Sequence, residues 1–369
     1  SGAASHELAA VVQKIVSYGQ GTLSPAASRI LAVAGREARP PAPATTNAQV
    51  DSLVAMAARH RPPLDVATVY NTDTATLAHL LCLLQRPYDL ISYTGHGIRS
   101  GWNDPTFTAL MADPLQGFAP TVMVNNCCMT NAFDGLCFGE QMLRSLRGAV
   151  GVIGAANETL WDEDYYWATA LPGAFDTLLA SADNPYDYPS QTLGRMLYNG
   201  CKAVSLVGSV FDAYYWEAYC LLGDPSMVPI LGPQDSLWVH VDSLPLMGDS
   251  RLQVTTLPWA RVSVTSDSLL LGTALADSLG RAEIALWEAL SADSLTLTVV
   301  RPQGKPCRTT VAVARPTQGC LAVTGHRADT LLHLCLQNVG QDSATDAYMT
   351  LTVGQETDTL FLPAFASGD

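Results

Sequence analysis

Residues 88–97 read Tyr-Asp-Leu-Ile-Ser-Tyr-Thr-Gly-His-Gly, and residues 120–128 read Pro-Thr-Val-Met-Val-Asn-Asn-Cys-Cys. Each is a short apolar run without alternation that ends in residues able to do chemistry. Such a run is expected of a strand buried on both faces. Arg29–Gly35, Asp65–Asn71 and Ala149–Ala156 have the same texture. Helical patterns lie between or after them, at Ser5–Tyr18, Asn47–Ala58, Ala75–Gln85, Phe138–Leu146, Tyr165–Leu179 and Gln191–Val207. This alternation predicts an α/β domain with a largely parallel sheet flanked by helices. Right-handed crossovers then bring the functional loops to the carboxyl ends of the strands.

Beyond residue 232 the pattern changes. Trp238–Val241, Arg261–Thr265 and Leu295–Val299 alternate polar and apolar residues, and Asp-Ser-Leu recurs from Asp235, Asp242, Asp267, Asp277 and Asp293. Turn signals at this spacing predict an immunoglobulin-like β-sandwich over residues 233–316. Residues 317–369 read as a further β-rich segment, too short for a second sandwich, with a turn at Asn338-Val339-Gly340. With 48% hydrophobic and 15% charged residues in 369, the chain is not intrinsically disordered. A net charge of -14 argues against a nucleic-acid or anionic-membrane surface. No apolar run reaches the length of a membrane span. The opening Ser1-Gly2-Ala3-Ala4 lacks the basic and apolar regions of a signal peptide, so the sequence reads as a mature or trimmed segment.

The nine cysteines include no Cys-x-x-Cys pair, which argues against a zinc ribbon or finger. Cys127-Cys128 stands at the end of one strand-like run, and His96, between Gly95 and Gly97, ends another. A cysteine is only a few per cent thiolate at neutral pH, and a nearby imidazole raises that fraction. Neighbouring strand ends on one rim would bring the two groups together. The bland alternatives are a turn histidine and two small buried hydrophobes. His6, His60 and His79 in helical patterns, and His240, His326 and His333 in the β regions, carry no such context.

Several ordered blocks resemble the gingipain family of cysteine peptidases, and the lysine-specific member above all. They are Tyr93-Thr94-Gly95-His96-Gly97 with Trp102, Asn126-Cys127-Cys128 with Phe133-Asp134, Cys137-Phe138-Gly139-Glu140, Trp161 through Trp167, and Tyr215 through Tyr219 followed by Leu222-Gly223-Asp224. The resemblance runs from about Ser5 to Ile230. It implies a caspase-like catalytic domain over residues 1–232, with a further amino-terminal subdomain ahead of the matched region. It also implies His96 as the catalytic histidine. Counting five residues back from Phe133 puts the nucleophile at Cys128, whereas counting from Pro120 on the arginine-specific pattern puts it at Cys127. The backbone N–H groups of Gly97 and Cys128 match the family's oxyanion donors, and Glu37 falls at its acidic position.

For specificity, the arginine-specific pattern has an aspartate where this chain has Ala48. The lysine-specific pattern has an aspartate three residues after the pocket tryptophan, which gives Trp161 and Asp164, with Thr94 and Asn126 completing the S1 pocket. Asp164 also sits where an acid suits the start of a helix. The resemblance thus implies a secreted or cell-surface bacterial endopeptidase, cleaving protein or peptide substrates after lysine through an acyl-thioester. A propeptide or the amino-terminal segment is its implied partner. No cofactor is required. Calcium is implied as a structural ion, but no loop shows EF-hand spacing and no ligand is assigned. A transpeptidase or sortase of the same family would use the same dyad, and an inactive adhesion module would need neither residue.

Overall fold

Apolar side chains on both faces force a strand into the middle of a layered structure. In the computed structural model, which describes residues 2–22, 29–37, 44–59, 63–72, 76–112, 120–171, 192–328 and 331–369, the apolar runs form such strands. The chain divides into two units, residues 1–235 and 236–369. In the first, helix α1 (Gly2–Gly19) precedes β1 (Arg29–Ala34), α2 (Thr46–Arg59), β2 (Asp65–Val69), α3 (Thr76–Leu83) and β3 (Leu90–Thr94). Three short strands follow, β4 (Gly97–Ile98), β5 (Gly101–Asn103) and β6 (Thr106–Thr108), then α4 (Ala109–Ala112), β7 (Thr121–Asn126), α5 (Phe138–Arg144) and β8 (Ala149–Ala155). The unit closes with α6 (Trp161–Ala170), α7 (Leu193–Leu206), α8 (Asp212–Ala218) and β9 (Tyr219–Gly223). The parts of the expected Tyr165–Leu179 and Gln191–Val207 helices at 172–191 lie outside the described residues, as does His60.

The main sheet has the order β2-β1-β3-β7-β8-β9. Its first five strands are parallel, and β9 adds an antiparallel edge beside β8. That edge strand was not expected, because Tyr219-Cys220-Leu221-Leu222 continues the apolar pattern of the helix before it. Side chains alternate between two cores. Ile30, Ala32, Leu90, Val122 and Val124 pack with Val50, Leu53, Trp167, Leu193 and Met196 of α2, α6 and α7. Leu31, Val33, Ile91, Tyr93 and Met123 pack with Leu80, Phe138 and Met142 of α3 and α5. Each such buried aliphatic side chain contributes about 1.5–3 kcal/mol relative to exposure. Across the centre of the sheet Ala34 pairs with Thr94 and Thr94 with Asn126, so β1, β3 and β7 end at one level. Between β7 and β8 the register shifts after Thr121, leaving Val150 as an extra residue in β8.

The second unit is antiparallel throughout its main sheets. Strands Val239–Val241, Arg251–Thr256 and Arg281–Ala285 form one sheet, and Leu269–Leu275, Arg261–Ser266, Ser294–Val300 and Cys307–Ala312 form the other. Buried positions alternate with exposed ones along Arg251–Thr256 and Arg281–Ala285. Val254, Val262, Val264, Ile284, Leu295 and Leu297 fill a shared core, giving the expected immunoglobulin-like sandwich. Asp277 of one Asp-Ser-Leu repeat accepts the Leu279 and Arg281 N–H groups, an Asx turn between strands. Two hairpins follow in the same unit, Leu321–Ala328 with Leu331–Asn338 and Tyr348–Val353 with Glu356–Phe361. The Asn338 Oδ1 accepts from the Gly340 N–H, which makes the turn read from the sequence.

Helix α1 is tied to the first unit by an unusual cap. Lys14 is buried, and its ammonium donates to the Leu143 and Ser145 carbonyls at the end of α5, at 2.7 and 2.6 Å. Cations suit that end of a helix. Burial nevertheless pushes the Lys14 ammonium down to about 8. Lys14→Met should lower unfolding free energy in urea by about 1–3 kcal/mol, since two part-buried carbonyls lose their donor. In the native chain the Lys14 contribution to stability should rise between about pH 8 and 10.5, where the unfolded state holds the proton that the folded state has released.

Candidate active site

The level ends of β1, β3 and β7 deliver three loops to one rim, and small residues let them touch. The Gly35 N–H donates to the Thr94 carbonyl at 2.7 Å, and the Gly95 N–H to the Asn126 carbonyl at 3.2 Å. A Cβ on Gly95 would stand 2.6 Å from Tyr93 Oη and 2.9 Å from Gly35 Cα. A Cβ on Gly97 would stand 2.4 Å from the Cys128 carbonyl oxygen and 2.6 Å from Cys127 Sγ. The histidine loop therefore lies directly on the cysteine loop, a contact only glycine permits. The His96 carbonyl accepts from Tyr93 Oη at 2.8 Å and from the Asn103 N–H at 3.0 Å. Tyr93 stacks on Trp102 at 4.5 Å, and Trp102 Nε1 donates to Asn125 Oδ1 at 2.8 Å. Trp102 thus fixes the backbone beneath His96 from inside the protein.

The two cysteines part company at the end of β7. Cys127 is fully buried with Tyr93, Trp102 and Phe138, and burial, then the neighbouring Cys128, pushes its thiol well above the usual range. Cys128 is partly exposed. Its Sγ accepts from the Thr159 N–H at 3.3 Å and lies 3.6 Å from Thr159 Oγ1 and 3.9 Å from the Thr159 carbonyl. The next residue, Met129, has φ of +61°, a left-handed conformation of the kind that gathers at functional sites. It is held by its N–H to the Asn157 carbonyl at 3.0 Å, while Asn131 N–H donates to Ala155 at 2.9 Å. The partly exposed His96 ring meets Trp161 edge-on, with centroids 5.0 Å apart. Imidazole and thiol thus converge on one short segment, Thr159–Trp161, that leads into α6.

Glu37 follows β1 on the same rim. Its Oε1 accepts from the Thr46 hydroxyl at 2.8 Å and also from the Thr46 N–H, and its Oε2 from Asn71 Nδ2 at 3.0 Å. These bonds cap the start of α2. Among the described residues no hydrogen bond joins Glu37 to His96.

Asp164, in the first turn of α6, faces inward and is 4% exposed. Its Oδ2 accepts from Thr159 Oγ1 at 2.7 Å, and its Oδ1 from Tyr215 and Tyr219, each at 2.8 Å. Burial lifts the carboxyl to about 6 against the pull of these three hydroxyls. Asn126 Nδ2 donates to Thr94 Oγ1 at 2.9 Å and to the Asp164 carbonyl at 3.2 Å. Gln49 Oε1 accepts from Thr94 and Asn126, at 2.9 and 3.1 Å. The structure therefore joins Thr94, Asn126 and Asp164 in one polar network, with Trp161 at the first position of the same helix. Gln49, Thr159, Tyr215 and Tyr219 are members that sequence reasoning did not assign. Tyr215 and Tyr219 are four apart in a block already singled out, a spacing that puts both on one side. Gln49 and Thr159 carry no such signal. Among the described residues, no group of three His, Cys, Asp or Glu side chains is placed to hold a metal ion, and no calcium ligand is assigned. No helix among them is long and apolar enough to cross a membrane.

A sequence profile of peptidase family C25 matches residues 1–230. Lys-gingipain W83 of Porphyromonas gingivalis is 25% identical over 342 residues, covering 86% of this chain and 19% of that protein. A second Lys-gingipain of Porphyromonas gingivalis is 28% identical over 242 residues, covering 60% of this chain and 14% of that protein. The chain thus spans about a fifth or less of the length of these curated relatives. Among solved structures, the arginine-specific cysteine proteinase gingipain R (RgpB) superposes with a TM-score of 0.69 at 18% identity, over 83% of this chain and 72% of that one. The complex of the Porphyromonas gingivalis RgpB pro- and mature domains gives 0.69 at 18% identity, over 82% of this chain and 73% of that one. These likenesses establish the fold.

Two outcomes follow from the geometry. Iodoacetamide on the folded protein should modify Cys128 and leave Cys127 untouched until denaturant is added, as read by peptide mass mapping. Gly97→Ala should lower unfolding free energy by about 1–3 kcal/mol and cut Cys128 alkylation, because its methyl would enter the space of the Cys128 carbonyl.

Proposed function

The chain belongs to peptidase family C25, the gingipain family of cysteine peptidases, and on that footing we propose that it is a secreted cysteine endopeptidase that cleaves Lys-Xaa bonds in protein or peptide substrates. The observation that carries this reading is the convergence of the His96 ring and the Cys128 thiol on Thr159–Trp161, with Gly97 lying against the Cys128 backbone.

In this reading His96 takes the Cys128 proton, and the thiolate attacks the scissile carbonyl. The N–H groups of Gly97 and Cys128 receive the developing oxyanion; one such donor contributes about 3–4 kcal/mol of barrier lowering elsewhere. His96 then protonates the leaving amine, and water resolves the thioester. Its edge contact with Trp161 keeps the ring over the rim. Glu37 acts on this chemistry from behind, holding the loop after β1 through Thr46 and Asn71. Trp161 lines the aliphatic stem of the P1 lysine, and Asp164 meets its ammonium, with Thr94 and Asn126 shaping the floor. A buried carboxylate with a raised pKa gains most from a cationic partner. The likeness to Lys-gingipains supports the same choice. The RgpB pro- and mature-domain complex supports a pro-segment as a partner of this chain also.

Cys128→Ala should abolish turnover of lysyl peptides, and a lysyl chloromethyl ketone should label Cys128 of the native protein. Full activity in the variant would end the proposal, and a ligated product in excess amine would assign transpeptidation instead. Asp164→Asn should lower kcat/KM for lysyl substrates by about 100-fold or more while sparing other P1 residues. In the native protein, kcat/KM for lysyl substrates should fall as pH drops through about 6, because Asp164 then gains the proton that cancels its charge.

A further inference from the structure

Among the described residues, Thr159 alone hydrogen-bonds to both the sulfur of Cys128 and the carboxylate of Asp164. Its N–H donates to Cys128 Sγ at 3.3 Å, a contact that keeps the sulfur beside it whatever the side chain does. Its hydroxyl carries one proton and faces two acceptors, Asp164 Oδ2 at 2.7 Å and Cys128 Sγ at 3.6 Å. The ionised carboxylate is the nearer and stronger acceptor, so in the free protein the proton points to Asp164 and a hydroxyl lone pair faces the sulfur. That arrangement disfavours a thiolate.

We propose that Thr159 is a positioning residue through which a primary ammonium bound at Asp164 activates Cys128, by releasing the Thr159 hydroxyl to donate to the thiolate. The inference rests on the assignment of Cys128 as nucleophile and Asp164 as the P1 partner. Asp164 already accepts from three hydroxyls, those of Thr159, Tyr215 and Tyr219. An ammonium brings three more donors and neutralises the charge that held the Thr159 proton. Tyr215 and Tyr219 cannot respond in the same way, since their second acceptors are the Leu160 carbonyl and Asn126 Oδ1 rather than the sulfur. Rotation of the hydroxyl about its Cβ–Oγ1 bond is all that Thr159 needs. A neutral P1 side chain leaves the proton where it was. Lysine preference then enters the rate of thiolate attack as well as binding, which is where selectivity raises kcat.

The probe is n-butylammonium, a lysine side chain without its backbone, and the readout is the rate of Cys128 alkylation by iodoacetamide with and without it. In the native protein saturating n-butylammonium should accelerate alkylation roughly tenfold, the scale of one hydrogen bond to a charged group. Thr159→Val keeps the shape and the backbone N–H, and should reduce the acceleration to about twofold or less, the remainder being the field of the cation. Thr159→Ser should restore it. Equal acceleration in native protein and Thr159→Val overturns the coupling. No acceleration in a native protein that still cleaves after lysine also overturns it, leaving the peptidase reading intact. No acceleration together with no lysyl cleavage removes both.

Discussion

Ala34, Thr94 and Asn126 stand at one level across three adjacent parallel strands, and the chemistry of the rim depends on that register. A parallel sheet gives every strand end the same polarity, so loops that leave level strands emerge side by side. Two residues beyond Thr94 comes His96, and two beyond Asn126 comes Cys128. The distance between imidazole and thiol is therefore set by interstrand hydrogen bonds deep in the core. Exposed side chains have little part in it. Gly95 and Gly97 convert that proximity into contact, since any Cβ there would drive the loops apart.

The sheet strands were legible because burial on both faces writes itself as β-branched, unalternated runs. Arg29–Ala34, Thr121–Asn126 and Ala149–Ala155 lie within a residue or two of the runs that announced them. Edge strand Tyr219–Gly223 was not legible, as four apolar residues at a helix end satisfy either period. The three short strands after His96 were also hidden, being two or three residues long. Of the site, His96 and the Cys127-Cys128 pair stood out in the residues themselves, whereas the choice of Cys128, Trp161 and Asp164 came from the family resemblance. Gln49 and Thr159 were marked by neither, because their roles come from where α2 and the loop before α6 are placed in three dimensions. Glu37 was readable as an acid on the right rim, but its partners Thr46 and Asn71 are settled by the way α2 begins.

The polar network around Asp164 holds a conflict that tertiary packing resolves. Burying Asp164 penalises its charge, and three hydroxyls restore part of the cost without supplying an opposite charge. A carboxylate kept in that condition is a weak partner for itself and a strong one for a cation. Tyr219 has a single proton between Asn126 Oδ1 and Asp164 Oδ1, and Gln49 Nε2 is buried without an acceptor. The network thus keeps one donor, the Gln49 amide N–H, without an acceptor.

The adjacent cysteines at the end of β7 have a consequence for how this strand can vary over generations. Alternation sends Cys127 into the core and leaves Cys128 at the opening. If one codon were gained within β7, Cys127 would move into the place of Cys128, and a thiol would still stand at the opening. Asn126 would leave its place between Thr94 and the Asp164 carbonyl in the same step. The doublet therefore keeps a sulfur at the rim through such an insertion, while the polar network that Asn126 ties together is not kept.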